Sequence, residues 1–134
     1  MVDRLYILMR TDLDSMNAGK AIAQGSHASN AFTNLAKKLN RKNEIENWKH
    51  QSIGQGFGTV LVLDGGSMDN IDSIVSKAIE AGLIADIVHD KTYPLVDGEF
   101  VHHIPLDTCG FIFIKEEDVE GIGRNLVGDL KLHA

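Results

Sequence analysis

The sequence has few of the features that mark secreted or membrane-bound proteins. One cysteine among 134 residues, Cys109, cannot form an intramolecular disulfide, so nothing in the sequence points to secretion. The first four residues lead into only five apolar ones, Leu5–Met9, which are too few for a signal-peptide core or a membrane span. We therefore expect a cytoplasmic protein with no membrane partner. The chain length and the 43% of apolar residues predict one domain over residues 1–134.

Basic residues are also in the minority, with 13 Lys and Arg against 19 Asp and Glu and a net charge of −6. This balance argues against non-specific binding of nucleic acid, because phosphate contacts need Lys and Arg. The basic residues are unevenly placed, however. Seven of the thirteen lie between positions 10 and 50, namely Arg10, Lys20, Lys37, Lys38, Arg41, Lys42 and Lys49. A nucleic-acid partner is therefore not excluded, but it would have to be bound locally, by the N-terminal half.

Four apolar runs have the length of β-strands. They are Leu5–Met9, Thr59–Leu63, Ala85–His89 and Cys109–Ile114. The runs are continuous rather than alternating, which is typical of strands that helices cover on both faces. Strands that alternate with helices predict a three-layer α/β/α domain, of the α/β class, around a mostly parallel sheet.

Amphipathic stretches between these runs predict the helices. A first helix carries an apolar face at Ala28, Phe32, Leu35 and Leu39, and another carries one at Ile71, Ile74, Val75, Ala78 and Ile79. A short helix is predicted over Glu44–His50, and a last one near Glu116–Val127, although Gly121 and Gly123 weaken it.

The connection from Lys91 to Thr108 has no helical period and contains Pro94, Gly98 and Pro105. We expect a long irregular loop here. Without a crossover helix, the fourth strand most easily returns antiparallel to the third, so the last strand is predicted to be antiparallel.

In open α/β sheets, functional sites form beyond the carboxyl ends of the parallel strands. The residues from Arg10 to Lys20 follow the first strand, and Asp90–Thr92 follow the third. An antiparallel fourth strand begins at the same end of the sheet, which brings Thr108 there. The pattern therefore predicts one site that contains Lys20, Asp90, Thr92 and Thr108.

Lys20 is unusual for its place in the helix. A cation in the first turn opposes the helix macrodipole, so the position favours Asp or Glu. A residue that breaks a local rule beside a predicted site indicates a function. Two structural alternatives stay open: Lys20 as a solvated lysine whose stem covers apolar surface, and Asp90 as a turn-forming residue at a strand end.

Other polar clusters do not form a predicted site. Ser26 and His27 are neighbours on a helix and point about 100° apart, so they do not predict a nucleophile–base pair, and His27 is expected to be a polar contact near the site. Adjacent histidines in an extended segment, His102 and His103, face opposite sides and serve one ion poorly. The segment Gly54–Gly58 precedes a strand and lacks the context of a phosphate loop. We predict no metal and no cofactor.

Several motifs together resemble the N-terminal signature of type II peptidyl-tRNA hydrolases. They are Arg10-Thr11-Asp12-Leu13, Gly19-Lys20, Gln24 and Ser26-His27-Ala28. Later segments are also similar, including Thr59–Leu63, His89-Asp90 and the closing run Leu126–Leu132. The resemblance covers nearly the whole chain.

The resemblance implies hydrolysis of the ester bond between a peptide and the 3′ end of tRNA, by a four-stranded mixed-sheet domain that forms a homodimer. It assigns catalysis to Lys20, Asp90, Thr92 and Thr108. Candidate substrate contacts are Arg10, Asp12, Gln24, His27, Lys37, Lys38 and Arg41. In this scheme Asp90 activates a water that Thr92 positions, and Lys20 stabilises the oxyanion.

The chain departs from the family pattern in three places. The segment Asp90-Lys91-Thr92 is shorter than usual, Asn17-Ala18 replace a lysine-containing pair, and the connection Lys91–Asp107 is longer. Two other functions therefore stay open. One is a catalytically idle module of the same fold that binds tRNA or another nucleotide-bearing partner, and the other is a hydrolase of a different acylated substrate.

Overall fold

The structure, a computed structural model, describes residues 2–134, and its strands and helices alternate in the predicted way. The strands are β1 (Arg4–Arg10), β2 (Thr59–Gly66), β3 (Ile84–Asp97) and β4 (Phe100–Ile114). The α-helices are α1 (Ala18–Lys38), α2 (Lys42–His50), α3 (Met68–Glu80) and α4 (Arg124–Val127). Within residues 2–134, no helix has both the length and the apolar character needed to cross a membrane.

The four strands form one sheet in the order β2-β1-β4-β3. β2 runs parallel to β1, whereas β4 runs antiparallel to both of its neighbours, β1 and β3. This arrangement confirms the four-stranded mixed sheet and the antiparallel last strand. β1 and β3 consequently point the same way, and the carboxyl end of β1 and the part of β3 near Asp90 lie at the same end of the sheet as Thr108 of β4.

Helices cover both faces of the sheet, which gives the predicted three layers. On the face under α1 and α2, the Phe32 ring stacks on Phe113 with ring centroids 4.9 Å apart and meets Trp48 edge-on at 5.3 Å. On the other face, α3 and the C-terminal segment bury Ile71, Val75 and other apolar side chains against the sheet. Burial of one such side chain stabilises the fold by roughly 1.5–3 kcal/mol.

The connection between β3 and β4 differs from the prediction. The expected irregular loop is instead a continuation of both strands, closed by a turn in which Gly98 has a φ of +61°. Pro94 and Pro105 misled the prediction, because proline is tolerated on an edge strand and at a bulge, and both residues occupy such positions. We call the part of the hairpin formed by residues 91–106 the ribbon.

Two helix predictions also need correction. The last helix is not one α-helix but a 3₁₀ turn (Glu116–Asp118), a π turn (Val119–Gly123) and the short α4. Glycine is a poor helix former, and Gly121 and Gly123 lie in the π turn. Leu39, expected on the buried face of the first helix, is its C-terminal cap and is 48% exposed. The next residue, Asn40, has a φ of +57°, which ends the helix.

Candidate active site

The regular pairing of β3 with β4 is interrupted twice, at the point where the ribbon leaves the sheet. Val88 pairs with Cys109 but His89 pairs with Asp107, so the register skips Thr108. The next shift lies between Asp90 and Tyr93. Such bulges bend the strand and re-aim side chains. The first bulge takes Thr108 out of the alternation of β4 and turns it towards α1, where Asp90 already lies, two residues after Val88 on the same face of β3.

Asp90 accepts hydrogen bonds from two other residues. Gln24 Nε2 donates to Oδ2 at 2.8 Å, and Thr92 donates to Oδ1 through its main-chain N–H at 2.9 Å and its hydroxyl at 3.2 Å. His27 Nε2 lies 3.9 Å from Oδ2. Burial favours the protonated acid, but these hydrogen bonds outweigh it and lower the pKa of Asp90. The group is therefore a carboxylate at neutral pH.

Gln24 connects Asp90 to Thr108. The Thr108 hydroxyl donates to Gln24 Oε1 at 2.6 Å, and the amide nitrogen of the same side chain donates to Asp90. Thr108 is 0% exposed and Gln24 is 2% exposed. Because an ionised carboxylate only accepts hydrogen bonds, the amide nitrogen faces Asp90, and the amide oxygen accepts from the Thr108 hydroxyl. Thr108 is fully buried, and its link to Asp90 runs through the Gln24 side chain.

Cys109 follows Thr108 and packs on the same face of the sheet, where its thiol donates to the Gln24 main-chain oxygen at 3.8 Å. Consecutive residues of a regular strand face opposite sides, so the bulge at Thr108 accounts for this placement. Burial raises the pKa of the Cys109 thiol to about 12, against an opposing hydrogen bond from Thr108. The thiol stays protonated at neutral pH and is not an activated nucleophile.

Lys20 lies one helical turn before Gln24 on the same face of α1. Asn17 caps this helix, its side chain accepting from the Lys20 main-chain N–H at 2.9 Å. The ammonium lies over the Tyr93 ring, with Nζ 5.2 Å from the ring centroid, and the contacts of Asp90 described above do not include it. Tyr93 is fully buried, and its hydroxyl is 3.1 Å from Ser15 Oγ. The cation–π contact holds Lys20 beside the base of the ribbon.

Arg10 and Asp12 pair with each other at the end of β1. Arg10 Nε and Nη2 donate to the two Asp12 oxygens at 2.9 and 3.1 Å, and Nη1 donates to the Asp107 main-chain oxygen at 3.0 Å. This pair lowers the pKa of Asp12 and raises that of Arg10. The Asp107 carboxylate in turn lies 2.6 Å from His89 Nδ1. Arg10 therefore ties the end of β1 to β4 just before the bulge.

The remaining basic candidates lie at the other end of α1. Lys37 follows Lys20 by seventeen residues, which places it about 25 Å away at 1.5 Å per residue. Lys37 and Lys38 are exposed. Arg41 is engaged elsewhere, since it makes a two-point ion pair with Glu44 and donates to the Gly82 main-chain oxygen at 2.9 Å. The structure thus separates these residues from the group around Asp90.

An open cleft of about 340 Å³ lies between α1 and β3. The α1 wall consists of His27, Asn30, Ala31 and Asn34, and the β3 wall consists of Ile87, Val88, His89, Asp90 and Lys91. Asp90 therefore borders both the hydrogen-bonded group with Gln24 and an accessible cavity. Its side chain is 10% exposed, so the carboxylate is partly accessible to solvent.

A family model described as "Peptidyl-tRNA hydrolase PTH2" matches residues 4–131. The chain belongs to this family. A comparison with curated proteins finds no match. The matched range contains every residue of the Asp90 group, so PTH2 membership and the geometry concern the same part of the molecule. Membership of this family supports peptidyl-tRNA hydrolase activity for the chain at the level of the family.

Sequence reasoning on this PTH2 chain missed part of the site. Gln24 was expected to contact substrate, yet it is buried between Asp90 and Thr108. Tyr93 was not selected, although it is the largest fully buried side chain and lies under Lys20. The signal that points to Tyr93 is its position, three residues after Asp90 at the start of a segment that was taken for a loop.

Proposed function

We propose that the protein hydrolyses the ester bond between a peptide and the 3′ end of tRNA, using Asp90 and Lys20. The observation that carries this proposal is the arrangement around Asp90, an ionised carboxylate that borders an open cleft and is held by Gln24 and Thr92. Its place in a chain of the PTH2 family selects the reaction.

In the proposed mechanism, Asp90 orients a water molecule and takes one of its protons as the oxygen attacks the ester carbonyl carbon. Thr92 helps to position that water, since its hydroxyl is already next to the carboxylate. The tetrahedral intermediate collapses, the carbon–oxygen bond to the ribose breaks, and the departing 3′-oxygen receives the proton. The products are a peptide acid and a tRNA with a free 3′ end.

Lys20 stabilises the negative charge that develops on the carbonyl oxygen. Its ammonium lies over Tyr93 and, within the residues that the structure describes, forms no ion pair with Asp90. A cation that keeps its charge available at the edge of the site is suited to an oxyanion that exists only in the transition state. Gln24 and Thr108 serve as positioning residues, because they act through Asp90.

The tRNA contacts are also part of the proposal. Arg10 lies at the same end of the sheet as Asp90, and its ion pair with Asp12 keeps its guanidinium in a fixed orientation. Lys37 and Lys38 are exposed and far from the reacting groups, which suits contacts to phosphates further along the tRNA. Arg41 is held by Glu44 and the Gly82 main-chain oxygen in the same way as Arg10 is held by Asp12 and Asp107, but it lies at the far end of α1 from Asp90.

A homodimer in the cytoplasm completes the proposal, as the family resemblance implies. Sedimentation velocity tests the dimer directly, because one chain has a mass of 14.7 kDa. A single species of twice that mass is the expected result, and a species at the mass of one chain over the whole concentration range would reject it.

The activity is tested with N-acetylaminoacyl-tRNA as substrate, comparing the wild type with Lys20→Met and Asp90→Asn. We expect turnover by the wild type and a loss of at least about a hundredfold in either variant. Lys77→Met is the matched control, because Lys77 is an exposed lysine on α3, in the opposite layer. Unchanged turnover in both site variants would reject the mechanism.

The two other functions give different results in the same experiment. An idle binding module binds tRNA with a strong salt dependence and releases no peptide. A hydrolase of another acylated substrate leaves the acyl-tRNA intact but cleaves a small activated ester, and that cleavage is lost in Asp90→Asn. Either result would replace the proposed function.

A further inference from the structure

β3 is an edge strand, so one of its sides has no neighbouring strand within residues 2–134. It pairs with β4 alone. The main-chain N–H of Ile87 does not take part in that pairing but donates to the Asp86 side chain, at 2.8 Å from Oδ1. In an antiparallel pair, the main-chain groups of one residue point to the partner and those of the next point away. Ile87 therefore directs its main-chain groups to the outside of the sheet.

The cleft beside Asp90 lies along this free edge. Five consecutive residues of β3, Ile87–Lys91, form its wall, although side chains of a strand alternate between two faces. The Ile87 side chain packs on the face covered by α3, whereas the cleft is on the side of α1. Consecutive residues with side chains on both faces can all line one cleft only where it runs along the edge of the strand. We infer that main-chain groups of β3 at this edge face the cleft.

The opposite wall adds side chains suited to the same kind of ligand. Asn30 and Asn34 lie one helical turn apart on α1, are exposed, and line the cleft. A carboxamide both donates and accepts hydrogen bonds, as a peptide group does. The cleft thus presents peptide-like groups on two sides.

We propose that the acyl part of the substrate, the nascent peptide, binds in extended form along the free edge of β3. This inference rests on the proposed function, because the ester at Asp90 then fixes which end of the peptide enters the cleft. Main-chain recognition by strand addition is independent of side-chain identity. An enzyme that acts on peptidyl-tRNA of any sequence needs recognition of this type.

The cleft does not concentrate the positive charge that a phosphate needs. Lys91, His27 and His89 line it together with Asp90, and Asp86 lies beside it, so the two carboxylates outnumber the one ammonium. Lys20 is not among the residues that line the cleft, and its ammonium lies over Tyr93 in the ribbon. The site is therefore divided at Asp90, with the nucleotide on the side of Lys20 and the peptide on the side of Ile87.

The first test is a binding experiment that needs no catalysis. Acetyl-trialanine amide is titrated into ¹⁵N-labelled protein, and backbone amide shifts are recorded. We expect saturable shifts centred on residues 87–91, and their loss when the central peptide nitrogen of the probe is methylated. Absence of shifts at these residues, or equal shifts with the methylated probe, would overturn the proposal.

Two variants of Asp86 sharpen this test. Asp86→Ala frees the Ile87 N–H, so the probe is expected to bind several times more tightly. Asp86→Asn keeps a side-chain oxygen that accepts from Ile87, so its affinity should stay close to that of the wild type. Equal affinity in the two variants would mean that the probe does not use the edge at Ile87.

The second test measures kinetics with acetylalanyl-tRNA and acetyltrialanyl-tRNA. We expect the longer acyl chain to lower KM about tenfold in the wild type, and Asn30→Ala combined with Asn34→Ala to remove most of that advantage. Asn125→Ala, an exposed asparagine on α4, is the control. Turnover of both substrates with equal KM would reject the edge site alone, whereas absence of all turnover with intact probe binding would reject only the proposed reaction.

Discussion

The inner and outer halves of the β3–β4 hairpin have opposite environments although they belong to the same two strands. In the inner half, β4 also pairs with β1, and helices cover both faces, so that Cys109–Ile114 are all buried. In the ribbon, the two strands pair only with each other, and Val96, Val101 and Phe100 are more than half exposed. The candidate site lies at the junction, where the register breaks.

The two halves of the hairpin differ in how firmly they hold a side chain and in how far they expose it to solvent. A regular buried strand holds side chains rigidly but alternates them between two faces. The ribbon is accessible but has little packing to hold a side chain in place. The first bulge turns Thr108 to the face of α1, and Asp90, on that same face at the last regular position of the inner half, borders the cleft.

The largest effect is expected from a change at the junction itself. Asp90→Asn should lower kcat/KM by about 10²–10⁴, because an amide cannot accept the proton from water. Asp97→Asn, at the exposed end of the ribbon, is the matched control and should have the activity of the wild type. The measurement is the initial rate with N-acetylaminoacyl-tRNA. Equal rates in the two variants would remove the distinction between the junction and the ribbon.

The two halves should also differ in what they contribute to stability. Phe111→Ala in the inner half removes a 0% exposed ring and should lower the free energy of unfolding by about 3–5 kcal/mol. Phe100→Ala in the ribbon removes a 72% exposed ring and should change it by less than about 0.5 kcal/mol. Urea denaturation measures both. A large loss in Phe100→Ala would show that the ribbon packs against something in solution.

A smaller effect is expected from the buried end of the hydrogen-bond chain. Thr108→Val removes the hydroxyl that orients Gln24, so the hydrogen bond that lowers the pKa of Asp90 is weakened and that pKa rises. Activity depends on the carboxylate and is lost as pH falls through its pKa. The acid limb of the kcat/KM profile should therefore move to higher pH, with about a tenfold loss of rate.

Thr108→Ser keeps the hydroxyl and is the control for that experiment. It should restore the acid limb of the wild type, even if the missing methyl group costs some stability. A profile in Thr108→Val that is lower at every pH but not shifted would mean that Thr108 serves the fold and does not act on Asp90.

The smallest effect is expected at the exposed pair of the ribbon. Replacing Val96 and Val101, which face each other across the two strands, with threonine keeps the β-branched shape and adds polar groups. We expect kcat/KM within about twofold of the wild type and a stability change within about 0.5 kcal/mol. A larger loss of activity would extend the functional region from the junction into the ribbon.

Much of the fold could be predicted because it depends on local patterns. The continuous apolar runs and the 3.6-residue period of the helices are visible in the chain, and the lack of a crossover helix after Asp90 indicated the antiparallel last strand. The ribbon could not be predicted from Pro94 and Pro105. Whether a proline breaks a strand depends on which main-chain groups have partners, and that is decided by the position of the strand in the sheet.

The composition of the site was also partly visible in the sequence. Lys20 stood out because it opposes the helix dipole, and Asp90 because it follows a buried strand. By itself, the sequence determined these residue types and the strand ends that carry them, since both follow from local chemistry. Only the tertiary structure decided that Gln24 is buried between Thr108 and Asp90, and that Lys20 lies over Tyr93. These contacts join residues 66 and more positions apart and depend on bulges that have no local signature.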